Sequence, residues 1–231
     1  MKILALDTSS DGLSVAIMDD DNLLGEYFVN GGKKNHSQKL MPMIKEILED
    51  LDIDVQDIDY YAVSIGPGSF TGLRIGITTV KGMAFSNDKQ VVGVNTLDAL
   101  ACNVSYIGEL ICPIIDAKNN QVYTAIYDKG KKIVNDNIIL INELANKLKF
   151  LNSKIIFVGD GVVSHEDYLK KELKENCIIA RQPSLLALAS SIAQVASEKI
   201  KVGEVSSSED IAPNYLIKSQ AEREYEKSHN S

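Results

Sequence analysis

Short apolar runs and helically spaced apolar positions alternate along the first half of the chain. The first runs, rich in β-formers and joined by Asp, Ser, Gly and Asn turns, predict an antiparallel meander of three strands over Lys2–Leu6, Leu13–Met18 and Leu23–Val29. From Ser37 to Leu51 the apolar residues recur at helical spacing, which predicts a helix. The chain therefore opens with three strands and a helix.

The stretch from Ser64 to Ala84, SIGPGSFTGLRIGITTVKGMA, has the most unusual composition. It predicts a strand end, a turn at 66–68 and a helix over 70–85 whose second face carries Gly72 and Gly76. Each glycine inside a helix costs about 1 kcal/mol relative to alanine, and close approach of another segment can offset that cost. From the residues alone, packing against the chain's own sheet is favoured over contact with a partner.

This glycine turn does not match the familiar phosphate loops. The GxxxxGK[ST] pattern fails because Leu73 follows Gly72 where lysine is required. The GxGxxG pattern fails because Thr71 occupies the place of the third glycine.

The second half repeats the pattern of the first. Aligning Asp7 with Asp116 superposes the first two strands of both halves without a gap, and Ala16 then meets Ala125. The order βββαβαβα follows in each half, which predicts two similar lobes over residues 1–106 and 107–231, each a mixed sheet with helices. The last helix, over 184–200, packs either on its own lobe or back on the first; the pattern leaves this open.

Such duplicated lobes resemble the ribonuclease H-like/actin-like ATPase fold of actin, sugar kinases and the Hsp70 ATPase. In that superfamily a nucleotide sits between the lobes, and the first hairpin of each lobe grips phosphate. The resemblance implies a vestigial phosphate-binding role for the matching hairpin residues, namely Asp7, Thr8, Ser9, Asp116 and Lys118.

Composition narrows the function. The 32 acidic and 24 basic residues give a net charge of −8, which argues against independent, electrostatically driven binding to nucleic acid. Three cysteines without a CxxC spacing indicate a reducing compartment. We find no signal peptide and no apolar run long enough to span a membrane, so we expect a cytoplasmic protein.

Several motifs together resemble the TsaB family of tRNA threonylcarbamoyladenosine biosynthesis proteins. They are ILALDTSS with SVAI, NHSQKLMP, GPGSFTGLRIG, VNTLDAL and IIDAKNNQVYTAIY, and the match runs from Lys2 to about Tyr215. The family's PxYLR-like ending is only partly kept: Pro213, Tyr215 and Leu216 fit it, and Ile217 and Lys218 depart from it.

The resemblance also implies what is missing. The catalytic relatives, TsaD and Kae1, carry two histidines four apart on the helix after the strand at Val91–Val94, and this chain has Thr96 and Leu100 there. Its only histidines, at positions 36, 165 and 229, are far apart in sequence. The resemblance therefore implies no catalytic residue, no metal site and no cofactor of the chain's own, while ATP and threonylcarbamoyl-AMP are used by the wider complex.

The implied function is a non-catalytic scaffold for N6-threonylcarbamoylation of adenosine 37 in tRNAs that read ANN codons. Its implied partners are a TsaD-like enzyme, a TsaE-like ATPase, tRNA through the other subunits, and a second copy of the chain when alone. The partner face would be built from the helices over 37–51 and 70–85, which reverses the first interpretation of the glycine face. Candidate contacts are Leu40, Met43, Ile47, Gly72, Ile75, Gly76 and Met83.

Two other functions were weighed. An ATP-dependent phosphotransferase of the actin-like fold would use Asp7 as a magnesium-associated acid, but an aspartate at a strand end more often hydrogen-bonds its own turn. A metallopeptidase lacks support because the sequence has no HExxH motif or other paired-ligand spacing.

Overall fold

The first of two five-stranded sheets is built around the opening meander. The structure, a computed structural model, describes residues 1–31 and 36–214. The strand order is β3-β2-β1-β4-β5, in which the β1–β2 and β2–β3 pairs are antiparallel and the β1–β4 and β4–β5 pairs are parallel. The strands are β1 Lys2–Asp7, β2 Gly12–Asp19, β3 Asn22–Asn30, β4 Tyr60–Gly66 and β5 Gln90–Asn95.

The second sheet repeats this topology. Its order is β10-β9-β6-β7-β8, again with two antiparallel pairs on one side and two parallel pairs on the other. The predicted duplicated lobes with mixed sheets are confirmed. The strands are β6 Leu110–Asp116, β7 Gln121–Asp128, β8 Lys131–Leu140, β9 Ile155–Val158 and β10 Cys177–Ile179.

Six α-helices connect and cover the sheets in the described residues. They are α1 His36–Asp50, α2 Phe70–Ser86, α3 Thr96–Cys102, α4 Ile141–Lys149, α5 Gly161–Leu173 and α6 Ala189–Lys201. The helix expected over 184–200 starts later, because residues 182–185 form a separate 3-10 turn. Within 1–31 and 36–214, none of the helices combines the length and the apolar composition needed to cross a membrane.

The side chains along each strand of the first sheet alternate between two hydrophobic cores. Along β1, Leu4 and Leu6 point into the core beneath α1 and α2, whereas Ile3 and Ala5 point into the core shared with the second sheet, α3 and α6. The helices α1 and α2 therefore lie together on the outer face of the molecule.

Helix α6 crosses from the second lobe and packs on the first sheet. Its start is fixed by two strands of that sheet. The Ser14 hydroxyl accepts the N–H of Ala189 at 2.7 Å, and the Glu26 carboxylate accepts the N–H and the hydroxyl of Ser190, both at 2.9 Å. Side chains from the first lobe thus satisfy the free donors at this helix start.

After α6 the chain runs along the open edge of the first sheet. Ser206 pairs with Val91 of β5, the Ile211 side chain is buried in the outer core, and the N–H of Asn214 donates to the carbonyl of Ile65 at 2.7 Å. This segment covers the edge strand. The motif residues Tyr215, Leu216, Ile217 and Lys218 lie outside the described residues.

Candidate functional site

The carboxyl ends of the parallel strands of both lobes meet at one junction. Asp7, at the end of β1, is buried, and its carboxylate accepts the N–H of Ser9 at 3.4 Å. Burial raises the pKa of Asp7 to about 6. The hydroxyls of Ser64 and Ser9 lie near this carboxylate and oppose the rise, although neither reaches hydrogen-bonding geometry.

The opposite hairpin carries an ion pair. The Asp116 carboxylate accepts the N–H of Lys118 at 2.8 Å and its ammonium group at 3.0 Å. Burial opposes ionisation of Asp116, but these contacts outweigh it and lower its pKa. Asp160, after β9, accepts the N–H of Asp116 at 3.1 Å, and burial raises the pKa of Asp160.

Two polar groups of the first hairpin contact α2. The Thr8 hydroxyl donates to the carbonyl of Gly72 at 2.8 Å, and the N–H of Ser69 donates to the carbonyl of Ser9 at 2.7 Å. The structure brings both predicted hairpins to the junction, but Thr8 is buried there and Lys118 is paired with its own neighbour. Their phosphate-binding role stays a prediction, and these contacts do not support it.

A small cavity lies between the lobes at this junction. It has a volume of about 10 Å³ and is lined by Ser9, Thr96 and Leu100 from the first lobe and by Ile115 and Asp160 from the second. That volume holds about one water molecule, so a phosphate group does not fit in it.

Gly72 and Gly76 pack against the chain's own first hairpin. A Cβ atom on Gly72 would lie 2.0 Å from the Thr8 carbonyl oxygen, and one on Gly76 would lie 2.4 Å from the Thr8 hydroxyl oxygen. The close approach that these glycines permit is therefore made within the chain. This is the packing that the residues alone favoured. Contact of Gly72 and Gly76 with a partner stays a prediction.

The other candidate contacts differ in accessibility. Leu40, Met43 and Ile47 are buried in the outer core, and Ile75 and Met83 are half-buried. Apolar residues at helical spacing mark the side of a helix that faces the core. The spacing therefore led to Leu40, Met43 and Ile47, which face the core. Contact of these residues with a partner stays a prediction.

The contacts predicted from the sequence include only one residue, Ile75, of a largely exposed stripe along α2. Its positions are spaced four and three residues apart, the heptad spacing by which helices pack together. None of the side chains in this set is charged, and Phe85 is 72% exposed. Arg74, which is also exposed, lies beside the set and stacks on the Phe70 ring at 3.9 Å. The spacing was visible in the sequence. We call this set the outer seam: Thr71, Ile75, Thr78, Gly82 and Phe85.

A second missed feature joins the lobes. Lys132 of β8 pairs with Asp98 of α3 at 2.9 Å and with Asp136 at 2.6 Å. The Tyr127 hydroxyl also donates to Asp98 at 2.6 Å, and Asn95 donates to Asp136. The cluster links the first lobe to β7 and β8 of the second.

Thr96 and Leu100, which the resemblance sets against the paired histidines of the catalytic relatives, are buried. Thr96 and Leu100 both line the junction cavity. His36 lies at the start of α1, with Nε2 3.3 Å from the Asp11 carbonyl oxygen, whereas His165 is buried on α5. His229 lies outside the described residues. Over 1–31 and 36–214, no group of three or more His, Cys, Asp or Glu side chains is arranged to hold a metal.

Comparisons with known proteins agree with this architecture. A family model described as TsaD, tRNA N6-adenosine threonylcarbamoyltransferase, matches residues 30–225. The chain is 32% identical over 229 residues to the tRNA threonylcarbamoyladenosine biosynthesis protein TsaB of Bacillus subtilis. The aligned region covers 97% of this chain and 98% of that protein. The solved structure of YeaZ from Pseudomonas aeruginosa is 25% identical, with a TM-score of 0.77 over 93% of this chain and 99% of that chain. A ROK hexokinase from Thermus thermophilus, 11% identical with a TM-score of 0.54 over 88% of this chain and 100% of that chain, shares the fold alone.

Proposed function

Because the chain belongs to the TsaB family of tRNA threonylcarbamoyladenosine biosynthesis proteins, we propose that it acts in that pathway as a non-catalytic subunit. It binds a TsaD-like threonylcarbamoyltransferase and holds that enzyme in its active form. The modification is N6-threonylcarbamoylation of adenosine 37 in tRNAs that read ANN codons. The complex works in the cytoplasm, where its tRNA substrate is found.

The outer seam is the observation that carries the partner role. Interfaces between proteins are depleted of charged residues at their centre, and the seam presents an uncharged helical stripe with heptad spacing on the surface. Helix α1 lies beside α2 and adds Met41, which is 51% exposed. Two helices side by side fit a helix bundle formed with two helices of a partner. Charged side chains are exposed on both helices as well, among them Arg74 of α2 and Lys45 of α1.

The junction supports the non-catalytic part of the proposal. Thr96 and Leu100 supply no imidazole where the catalytic relatives carry their paired histidines, and the cavity beside them has room for about one water molecule. ATP and threonylcarbamoyl-AMP are then ligands of the other subunits. A net charge of −8 favours contact with tRNA through those subunits as well.

Two further contacts follow from the same role. A TsaE-like ATPase binds the heterodimer, and a second copy of this chain covers the outer seam when the enzyme is absent. Both contacts belong to the proposal.

The test is co-purification of this chain with the TsaD-like protein of the same organism. Phe85→Asp places a charge in the outer seam, and Phe150→Asp makes the same change at a side chain 88% exposed on the second lobe. We expect Phe85→Asp to abolish the complex and Phe150→Asp to leave it intact, with both variants folded. A complex that survives Phe85→Asp, or that both substitutions break equally, would refute the seam as the interface.

A further inference from the structure

Buried polar atoms without a protein partner concentrate at the lobe junction. Among the described residues, six buried side-chain atoms lack a hydrogen-bond partner within the protein. Four of them belong to Asp7, Ser9, Ser64 and Thr96, which lie at the carboxyl edge of the first sheet. A buried polar group without a partner is costly, so native structures satisfy such groups with protein or with ordered water.

Two of these groups line the cavity between the lobes. Ser9 and Thr96 are 3% and 2% exposed, and both border the cavity of about 10 Å³. Asp160 borders it from the second lobe, with one carboxylate oxygen accepting the N–H of Asp116. Three polar residues from two lobes therefore border one small space, beside the apolar residues Leu100 and Leu185.

The size and the lining of this cavity select the ligand. A buried water needs roughly 10–15 Å³ and two to four polar partners, and this site offers that volume and three partners. We propose that the cavity binds one ordered water molecule, held by the hydroxyls of Ser9 and Thr96 and by the carboxylate of Asp160. The water bridges residues of the two lobes, so it helps to fix the position of one lobe against the other.

The first test is a high-resolution crystal structure of the wild-type chain. We expect a density peak within about 3.2 Å of both hydroxyl oxygens and of the Asp160 carboxylate. A cavity without a peak would refute the proposal. A peak with contacts as short as those of a metal cation, about 2.0–2.6 Å, would refute water as the ligand.

The second test uses the sign of a change in melting temperature. Thr96→Val is nearly isosteric. If the hydroxyl binds water, its removal lowers the melting temperature by about 2–4 °C in a chain of this size; if the hydroxyl has no partner, its removal raises the melting temperature. Ser9→Ala should also lower it.

Ser197→Ala is the matched control for Ser9→Ala. Ser197 is 2% exposed and also lacks a protein partner, but it lies on α6 and does not line the cavity. We expect Ser197→Ala to keep or raise the melting temperature. If Ser9→Ala and Thr96→Val both raise it, the site holds no water and the proposal fails. The proposed role as a partner subunit is tested separately, by co-purification with the TsaD-like enzyme.

Discussion

Two alanine substitutions in α2 should change stability in opposite directions. At Gly82 an added Cβ atom meets no other atom within 4 Å, so Gly82→Ala gains only the helix propensity of alanine. That gain is about 0.5–1 kcal/mol, which raises the melting temperature by roughly 1–4 °C in a chain of this length.

At Gly72 the same propensity gain is outweighed by a clash. The added Cβ would lie 2.0 Å from the Thr8 carbonyl oxygen, whereas ordinary van der Waals contact begins near 3.4 Å. The hairpin must move back by more than 1 Å, and Thr8 then loses its hydrogen bond of 2.8 Å to the Gly72 carbonyl. Overpacking of this kind costs about 1–3 kcal/mol, so we expect the melting temperature of Gly72→Ala to fall by several degrees.

Thermal unfolding of the two variants beside the wild type measures both effects. Because the substitution and the helix are the same, propensity cancels and the difference reports the contact with Thr8. If Gly72→Ala is as stable as Gly82→Ala, the glycine flank does not pack on the first hairpin and our account of it is wrong.

Three further predictions concern the lobe junction and the link between the lobes. Burial raises the pKa of Asp7 from 3.8 to about 6, so as the pH rises from about 4 to 6 the unfolded chain loses this proton first and the free energy of unfolding falls by up to about 3 kcal/mol. Urea unfolding of Asp7→Asn should not show this fall. If the variant and the wild type lose stability in parallel over this pH range, the prediction is wrong. Lys132→Met removes the cation that pairs with Asp98 and Asp136 and should lower the free energy of unfolding in urea by about 1–3 kcal/mol. Lys170→Met, which removes an exposed pair with Glu166, should lower it by less than about 1 kcal/mol. Equal losses of stability would show that the cluster does not stabilise the contact between the lobes. Mg-ATP should leave the melting temperature of the isolated chain unchanged, since a ligand at a hundred times its dissociation constant would add about 2.7 kcal/mol; a clear upward shift would favour the phosphotransferase.

The sequence predicted the architecture well, for a physical reason. The fold is duplicated, and a pattern that appears twice is less ambiguous than either copy. The alignment of Asp7 with Asp116 placed two hairpins that the structure indeed brings to one junction. Leu73 and Ile77 of α2 are four residues apart, the spacing of one helical face, and both are buried.

The candidate site was harder to predict, because periodicity gives the angle of a residue about its helix but not the neighbour it meets. Gly72 lies on a flank of α2 whose neighbour the sequence cannot identify, and the structure shows that Thr8 of the first hairpin packs against it. The contact between Asp98 and Lys132 joins residues far apart in the chain, so it cannot be predicted from a local sequence pattern. Four of the five residues of the outer seam were not predicted as contacts, because the stripe is uncharged rather than strongly apolar.

The most direct test of the proposed role is tRNA modification by the purified TsaD-like enzyme, supplied with threonylcarbamoyl-AMP, with and without this chain. The account predicts no modification by this chain alone, strong stimulation of the enzyme by the wild-type chain, and no stimulation by Phe85→Asp. Modification by the chain alone, or an enzyme equally active without it, would contradict the account.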